Sequence, residues 1–216
     1  MSSQEKCYRC EKLSTSREHI PAQSFFPKEY REELITVPSC DEHNTKKSTD
    51  DEYVRNLFAM NAEINQVGYD HGIDKVVRSF LRNPLFKKRV FGNAKDTFYL
   101  GEPTKEAPIE KERLIEYLAG IGYGLFRYDF DKNYDGHWYV HVDFQLTDPT
   151  IKSSLSLPEL KIRDFFRNTN FPKSKTKNPE VFQYSYFKEE DKLIYKLVFY
   201  ERICIYLATK NLLSKR

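Results

Sequence analysis

The sequence lacks any long apolar run and has few of the residues that make a chain flexible. No stretch approaches the roughly 20 apolar residues that a helix needs to cross a bilayer, which excludes a transmembrane protein. The start carries no apolar signal-peptide core, so we expect a cytoplasmic protein. Only 8 of the 216 residues are Gly, whereas 15 are Tyr and 16 are Phe, which excludes a disordered or collagenous chain.

The charge is nearly balanced over the whole chain but uneven along it. The formal net charge of +3 indicates no particular partner. Residues 75–95, however, contain seven Lys and Arg and no acid, and residues 161–177 contain six bases and one acid. Such stretches can follow a phosphate backbone, or they can be the solvated faces of ordinary helices. Both interpretations stay open from the sequence.

Three segments differ in composition and pattern, and together they predict an α+β fold. Residues 1–60 are polar and turn-rich, and residues 61–104 combine a basic helical segment with a Gly- and Pro-containing linker at 92–108. Residues 105–216 are expected to pack a helix, which begins near Ile109, on a mostly antiparallel sheet that binds substrate or forms a dimer. The strands of this sheet are expected at 137–146, 181–187, 193–200 and 203–208.

Three of the four cysteines fall in the first 40 residues, where they form a ligand pattern. Cys7-x2-Cys10 and Cys40-x2-His43 are two pairs with the short spacing that lets two side chains bind one tetrahedral ion. A segment of fewer than about 50 residues has too small a core to be stable alone, and structural zinc supplies the missing folding free energy. The alternative is that the cysteines are small buried apolar residues and the histidine is incidental.

A second motif lies between and after these two pairs. The residues 17–21 read Arg-Glu-His-Ile-Pro, and Asn44 and Lys47 follow the second pair. Together with the ligand pairs they resemble the HNH, or ββα-metal, endonuclease family, whose pattern is C-x2-C, D/E-H-I-x-P, then C-x2-C/H followed by H/N-x2-K. The resemblance covers about residues 7–55 and implies an N-terminal ββα-metal motif. The chain departs from the family in its loop, since residues 20–39 contain no Asn.

The resemblance implies a one-metal hydrolysis of the phosphodiester bonds of DNA. Glu18 and Asn44 would bind a catalytic Mg²⁺ or Mn²⁺, which prefers oxygen ligands. His19 would be the general base that activates water, and Lys47 would neutralise a phosphate. The acids at 50–52 would either add a metal contact or, as we prefer, occupy a helix N-terminus where acids are favoured. Relatives of this kind often act in phage defence, restriction or mobile elements.

The nucleic-acid-binding candidates are basic residues beside the motif and in the first basic stretch. DNA is the expected partner, RNA stays open as a substrate, and no membrane partner is expected. A homodimer or a regulatory protein partner also stays open. The alternative function is a non-catalytic zinc module that binds nucleic acid or protein, although such a module has no need of Glu18, His19 and Asn44. The candidates for binding nucleic acid are Arg17, Lys46, Arg78, Arg82, Lys87 and Lys88.

Overall fold

Helices occupy the middle of the chain and antiparallel strands its end, so the α+β prediction is confirmed. A computed structural model describes residues 5–45, 47–99, 101–143, 157–174 and 176–209. The elements are β1 (Ser16–His19), β2 (Thr36–Ser39), α1 (Asp41–Thr45), α2 (Ser48–Ala59), α3 (Gln66–Arg82), α4 (Pro84–Phe91), β3 (Lys95–Tyr99), β4 (Glu102–Glu106), α5 (Lys111–Phe130), β5 (Trp138–Asp143), α6 (Leu157–Asn168), β6 (Phe182–Glu189), β7 (Lys192–Phe199) and β8 (Ile203–Thr209).

The N-terminal unit is a two-stranded hairpin followed directly by a short helix. β1 pairs with β2 in antiparallel register, with Ser16 opposite Ser39 and His19 opposite Thr36. The connection between the strands contains two 3-10 helices, at Gln23–Phe25 and Lys28–Tyr30. β2 ends at Ser39, and α1 begins at Asp41 with only Cys40 between them.

The side chains at the starts of the first three helices have different partners. The Ser39 hydroxyl, just before α1, donates to Glu18 Oε2 at 3.2 Å. α2 begins at Ser48 with no capping side chain, and Lys47 occupies its N-cap in a helical conformation. α3 does have a side-chain cap, since Asn65 accepts from the Gly68 amide at 2.9 Å.

The segment predicted as part of a linker contains a β-hairpin. β3 and β4 pair with each other in antiparallel register and with no other described strand. Gly101 lies in the turn with a φ of +86°, a conformation that only glycine adopts without strain. The strands are largely exposed, so their sequence lacks the alternating apolar pattern by which a strand is recognised.

The C-terminal part has three layers, with the sheet between two helices. The strand order is β5-β8-β7-β6, and every pair is antiparallel. Leu197 and Leu207 lie in the same core cluster as Leu118 of α5. Phe166 of α6 packs with Ile194 in a second cluster, on the opposite face of the sheet. The predicted strand at 137–146 is present to Asp143, and its last three residues lie outside the described part of the chain.

The helix α5 also contacts the N-terminal unit. A Cβ placed on Gly124 would lie 2.6 Å from Ile20 Cδ1, and one on Gly122 would lie 2.8 Å from Leu207 Cδ1. These two glycines therefore let Ile20 and the sheet approach the helix closely. The main core cluster accordingly extends from Cys7 to Leu207. The division into three segments stays a prediction.

None of the helices in the described ranges combines the length and the apolar character that a membrane crossing requires.

Candidate metal centre and active site

The four predicted zinc ligands lie together at one end of the N-terminal hairpin. The ligand atoms of Cys7, Cys10, Cys40 and His43 all lie within 4.8 Å of one another. The Cys10 and Cys40 sulfurs are 3.8 Å apart, and His43 Nδ1 lies 3.4 Å from Cys7 Sγ and 3.3 Å from Cys40 Sγ. Cys7 and Cys40 are buried. The cluster could bind a metal ion such as zinc.

The distances within this cluster fit a tetrahedral ion. A zinc ion about 2.3 Å from sulfur and about 2.0 Å from nitrogen requires S–S edges of about 3.8 Å and S–N edges of about 3.5 Å. The S–S contact between Cys10 and Cys40 equals the first value, and the two S–N contacts of His43 are within about 0.2 Å of the second. The donor set of three thiols and one imidazole is also typical of structural zinc sites.

Local backbone structure explains how each pair is positioned. A turn closed by the Cys7 amide, which donates to Lys12 O at 2.8 Å, contains the first pair. Cys40 immediately precedes α1, and the His43 amide donates to Cys40 O at 3.1 Å, which brings both side chains to the same side of the first helical turn. The cluster therefore joins the N-terminal turn to the start of α1.

A buried ion pair lies beside this cluster. Lys47 Nζ donates to Glu18 Oε1, and the two side chains are 10% and 6% exposed. Glu18 Oε2 accepts from the Ser39 hydroxyl, so both carboxylate oxygens have donors. A carboxylate this deeply buried is rare without a partner, and here the lysine supplies the positive charge. The structure thus brings together Glu18 and Lys47, which the sequence placed in one site without predicting that they pair.

Asp51 is a second carboxylate close to this pair. It accepts from the Tyr117 hydroxyl of α5 at 2.8 Å, and Lys47 lies 5.2 Å from the centre of the Tyr117 ring. Burial raises the pKa of Asp51, the nearby Lys47 lowers it, and Glu18 raises it further. The sequence identified Asp51 only as one of several acids at a helix start. Its contact with Tyr117, 66 residues away, had no signal in the sequence.

Asn44 lies near the pair through Ser16, whereas His19, the residue after Glu18 on β1, lies on the other face of the strand. Asn44 Nδ2 donates to Ser16 Oγ at 2.8 Å, which turns the amide oxygen of Asn44 away from that hydroxyl. Ser16 and Glu18 are two residues apart on β1 and so share one face of the strand. His19 is half-buried, and its ring makes no hydrogen bond within the described part of the chain. Burial and the charge of Arg31 lower the pKa of His19, so the ring is neutral near pH 7.

The remaining candidates that the structure describes lie outside this group. Arg17 is held on the hairpin, where it donates to Thr36 and forms an ion pair with Glu5 at 3.3 Å. Lys46 lies outside the described residues. Four bases lie on α3 and α4 with exposed side chains, and one of them pairs with Glu52 of α2 at 3.3 Å. These four residues are Arg78, Arg82, Lys87 and Lys88, of which Arg82 makes the pair.

Comparison with known proteins found no relative: no family model, curated protein or solved structure matches the chain. The functional argument therefore depends on the residues of the site.

Proposed function

We propose that this chain is a zinc-stabilised, metal-dependent endonuclease of the HNH type that hydrolyses the phosphodiester bonds of DNA. The observation that carries the proposal is the buried carboxylate of Glu18, which lies next to a neutral His19 on a strand held against α1 by the Cys and His cluster. A carboxylate that can bind a metal ion and a neutral imidazole that can accept a proton are what water activation on a phosphodiester requires.

The cluster of Cys7, Cys10, Cys40 and His43 would hold structural zinc. Its distances agree with a tetrahedral ion, and all four positions are taken by protein side chains, which is typical of a structural rather than a catalytic zinc. The zinc would fix the start of α1 relative to β1. It would thereby fix the separation of Asn44 from Glu18.

Glu18 and Asn44 would bind the catalytic Mg²⁺ or Mn²⁺ through a carboxylate and an amide oxygen, the ligand types that these ions prefer. When bound, the ion would stabilise the negative charge that develops on the phosphate oxygens. His19 would accept a proton from the attacking water, for which a neutral imidazole is the required state. Lys47, which forms an ion pair with Glu18 in the structure, would neutralise a phosphate oxygen once the Glu18 carboxylate binds a cation.

A second candidate function is supported by the same ion pair. Because Lys47 balances the charge of Glu18 within the protein, the pair has a structural role that needs no added ion. This observation favours a non-catalytic zinc module that binds nucleic acid or a protein partner. The two functions differ in whether the chain cuts DNA.

The test is conversion of supercoiled plasmid by wild type and His19→Ala, with Mg²⁺, with Mn²⁺ or with EDTA. We expect cutting by wild type only and only with added metal, while zinc content and thermal stability of the variant stay unchanged. Zinc content is measured after the EDTA arm, so that loss of the fold is not mistaken for loss of the catalytic ion. No cutting by a folded, zinc-loaded wild type under any of these conditions would favour the binding module.

A further inference from the structure

A group of cations surrounds the 3-10 helix that follows β1. His71 Nε2 and Lys75 Nζ, one turn apart on α3, lie 3.0 and 2.9 Å from the carbonyl oxygen of Ser24, and 2.7 Å from each other. A carbonyl oxygen can only accept and an ammonium group can only donate, so His71 Nε2 can bond either Ser24 O or Lys75 but not both. Lys75 donates to Ser24 O in either case.

Two arginines lie within electrostatic range of Lys75, and among the described residues no acid forms an ion pair with Lys75, Arg31 or Arg55. Arg55, on α2, is 9% exposed, and its Nε has no hydrogen-bond partner among the described residues. Arg31, from the loop between β1 and β2, donates to Phe26 O at 3.2 Å. Burial and the charges of Arg55, Arg31 and Arg78 lower the pKa of Lys75 to about 8, with no acidic group opposing them.

This arrangement has the properties of an anion site rather than of a structural network. A structural network would pair each buried cation with an acid, as the protein does for Lys47. Among the described residues, the Arg55 guanidinium has one hydrogen-bond partner, the side-chain oxygen of Asn56 at 2.9 Å, and the charges of Glu52 and Asp51 act on it without forming an ion pair. The Ser24 hydroxyl is also buried without a partner in the described residues. Several donors, and cations that form no ion pair, around one half-buried position are what a phosphate group requires.

The group also lies beside the candidate general base. The loop carrying Ser24 and Arg31 begins directly after His19, and Lys75 donates to this loop at Ser24. An anion held by Lys75 at this loop would thus neighbour a phosphate attacked at His19.

We propose that Lys75 and Arg31, with Arg55 behind them, form a phosphate-binding site that holds a backbone phosphate of the bound strand next to the one that is cut. The assignment of the phosphate to a nucleic-acid strand rests on the proposed nuclease function. The inference that the site binds a phosphate group depends only on the cations themselves.

The first arm of the test measures phosphate binding without any nucleic acid. The thermal midpoint of the full-length, zinc-loaded protein is compared in inorganic phosphate and in chloride at equal ionic strength. Phosphate should raise the midpoint of wild type and of the control Lys192→Met, but not that of Lys75→Met or Arg31→Met. Lys192 is a suitable control because it lies at the end of β7 that is remote from α3. It begins the strand, whereas the contact with α3 is made by Tyr200, just past the other end.

The second arm measures binding of a short DNA duplex without divalent metal over a range of salt concentrations. Lys75→Met should weaken binding roughly tenfold at low salt and lower the salt slope by about one, as expected for one lost phosphate contact. Lys75→Arg keeps the charge and should keep both the phosphate effect and the slope. It serves as the folded variant if Lys75→Met loses zinc or helical circular dichroism.

The outcomes separate this inference from the proposed function. If phosphate stabilises the protein through Lys75 but the protein cuts no plasmid, the anion site is supported and the proposed nuclease function is contradicted. If the protein cuts plasmid but phosphate does not stabilise it, the nuclease function is supported and the anion site is contradicted. A phosphate effect with an unchanged DNA slope in Lys75→Met would show that the site binds free phosphate, and would overturn its assignment to the strand.

Discussion

Replacing Lys47 by Met removes the ammonium partner of Glu18 and keeps a side chain of similar length. The side chains of Glu18 and Lys47 are 6% and 10% exposed, so water cannot take the place of the lysine. Removing one partner of a buried pair costs about 3–5 kcal/mol, because the other charge stays buried. Since Ser39 still donates to Glu18, we expect the free energy of unfolding at pH 7 to fall by an amount near the lower end of that range.

The double variant Glu18→Gln/Lys47→Met isolates the charge from the packing. With the carboxylate gone, no uncompensated charge is left, so the double variant should be more stable than Lys47→Met alone. Urea unfolding of the wild type, both single variants and the double variant gives the coupling free energy. If the losses in the free energy of unfolding of the two single variants simply add in the double variant, then Glu18 and Lys47 do not interact, and the assignment of a buried ion pair is wrong.

Added Mg²⁺ distinguishes a carboxylate that binds a metal from one that only pairs with lysine. An ion present at about a hundred times its dissociation constant stabilises the folded state by about 2.7 kcal/mol. In wild type this gain is reduced, because Glu18 must first release Lys47. We therefore expect Mg²⁺ to stabilise Lys47→Met more than wild type, with NaCl at equal ionic strength as the control. Equal stabilisation of both proteins, or of neither, would refute Glu18 as a ligand.

The other predictions concern zinc, packing and a buried acid. Cys40→Ser should lose zinc and lower the thermal midpoint, as measured by metal analysis and calorimetry; a variant that kept both would refute the ligand set. Gly124→Ala should lower the free energy of unfolding in urea by about 1–3 kcal/mol, because the added Cβ would lie 2.6 Å from Ile20. In the control Gly120→Ala the nearest atom is 3.6 Å away, so this variant should lose no stability. Asp51→Asn should raise the thermal midpoint at pH 7, because burial raises the pKa of Asp51 and its charged form therefore opposes folding. This gain in the thermal midpoint should vanish at acid pH, where Asp51 is protonated in the folded protein.

The candidate metal-binding cluster could be predicted because its geometry is local. Each pair lies within one turn, so a spacing of two residues determines how its two side chains are placed. That the two pairs meet was inferred from the expectation that a small segment needs a metal ion to be stable, although the structure also packs this segment into the main core. The C-terminal strands were predicted for a similar reason, since alternation along a half-buried strand is visible in the sequence itself.

Contacts between distant segments had no such signal. Lys47 meets Glu18 across 29 residues and Tyr117 meets Asp51 across 66, and in each case either residue alone is compatible with many other partners. Lys75 was counted as one base in a basic stretch, although its position against Ser24 separates it from the exposed bases further along α3. The hairpin at β3 and β4 was missed because its exposed strands carry no apolar alternation.

The helix α5 gives the C-terminal part a physical connection to the candidate site. On one side, Tyr117 donates to Asp51 and Gly124 accommodates Ile20, the residue after His19. On the other side, Gly122 lies against Leu207 and Trp138 of the sheet. Close-packed contacts of this kind leave little room for independent movement, so a displacement of the sheet would move α5 against Asp51 and Ile20. The sheet can therefore affect the candidate site without lying in it, because it packs on the helix that Asp51 and Ile20 contact.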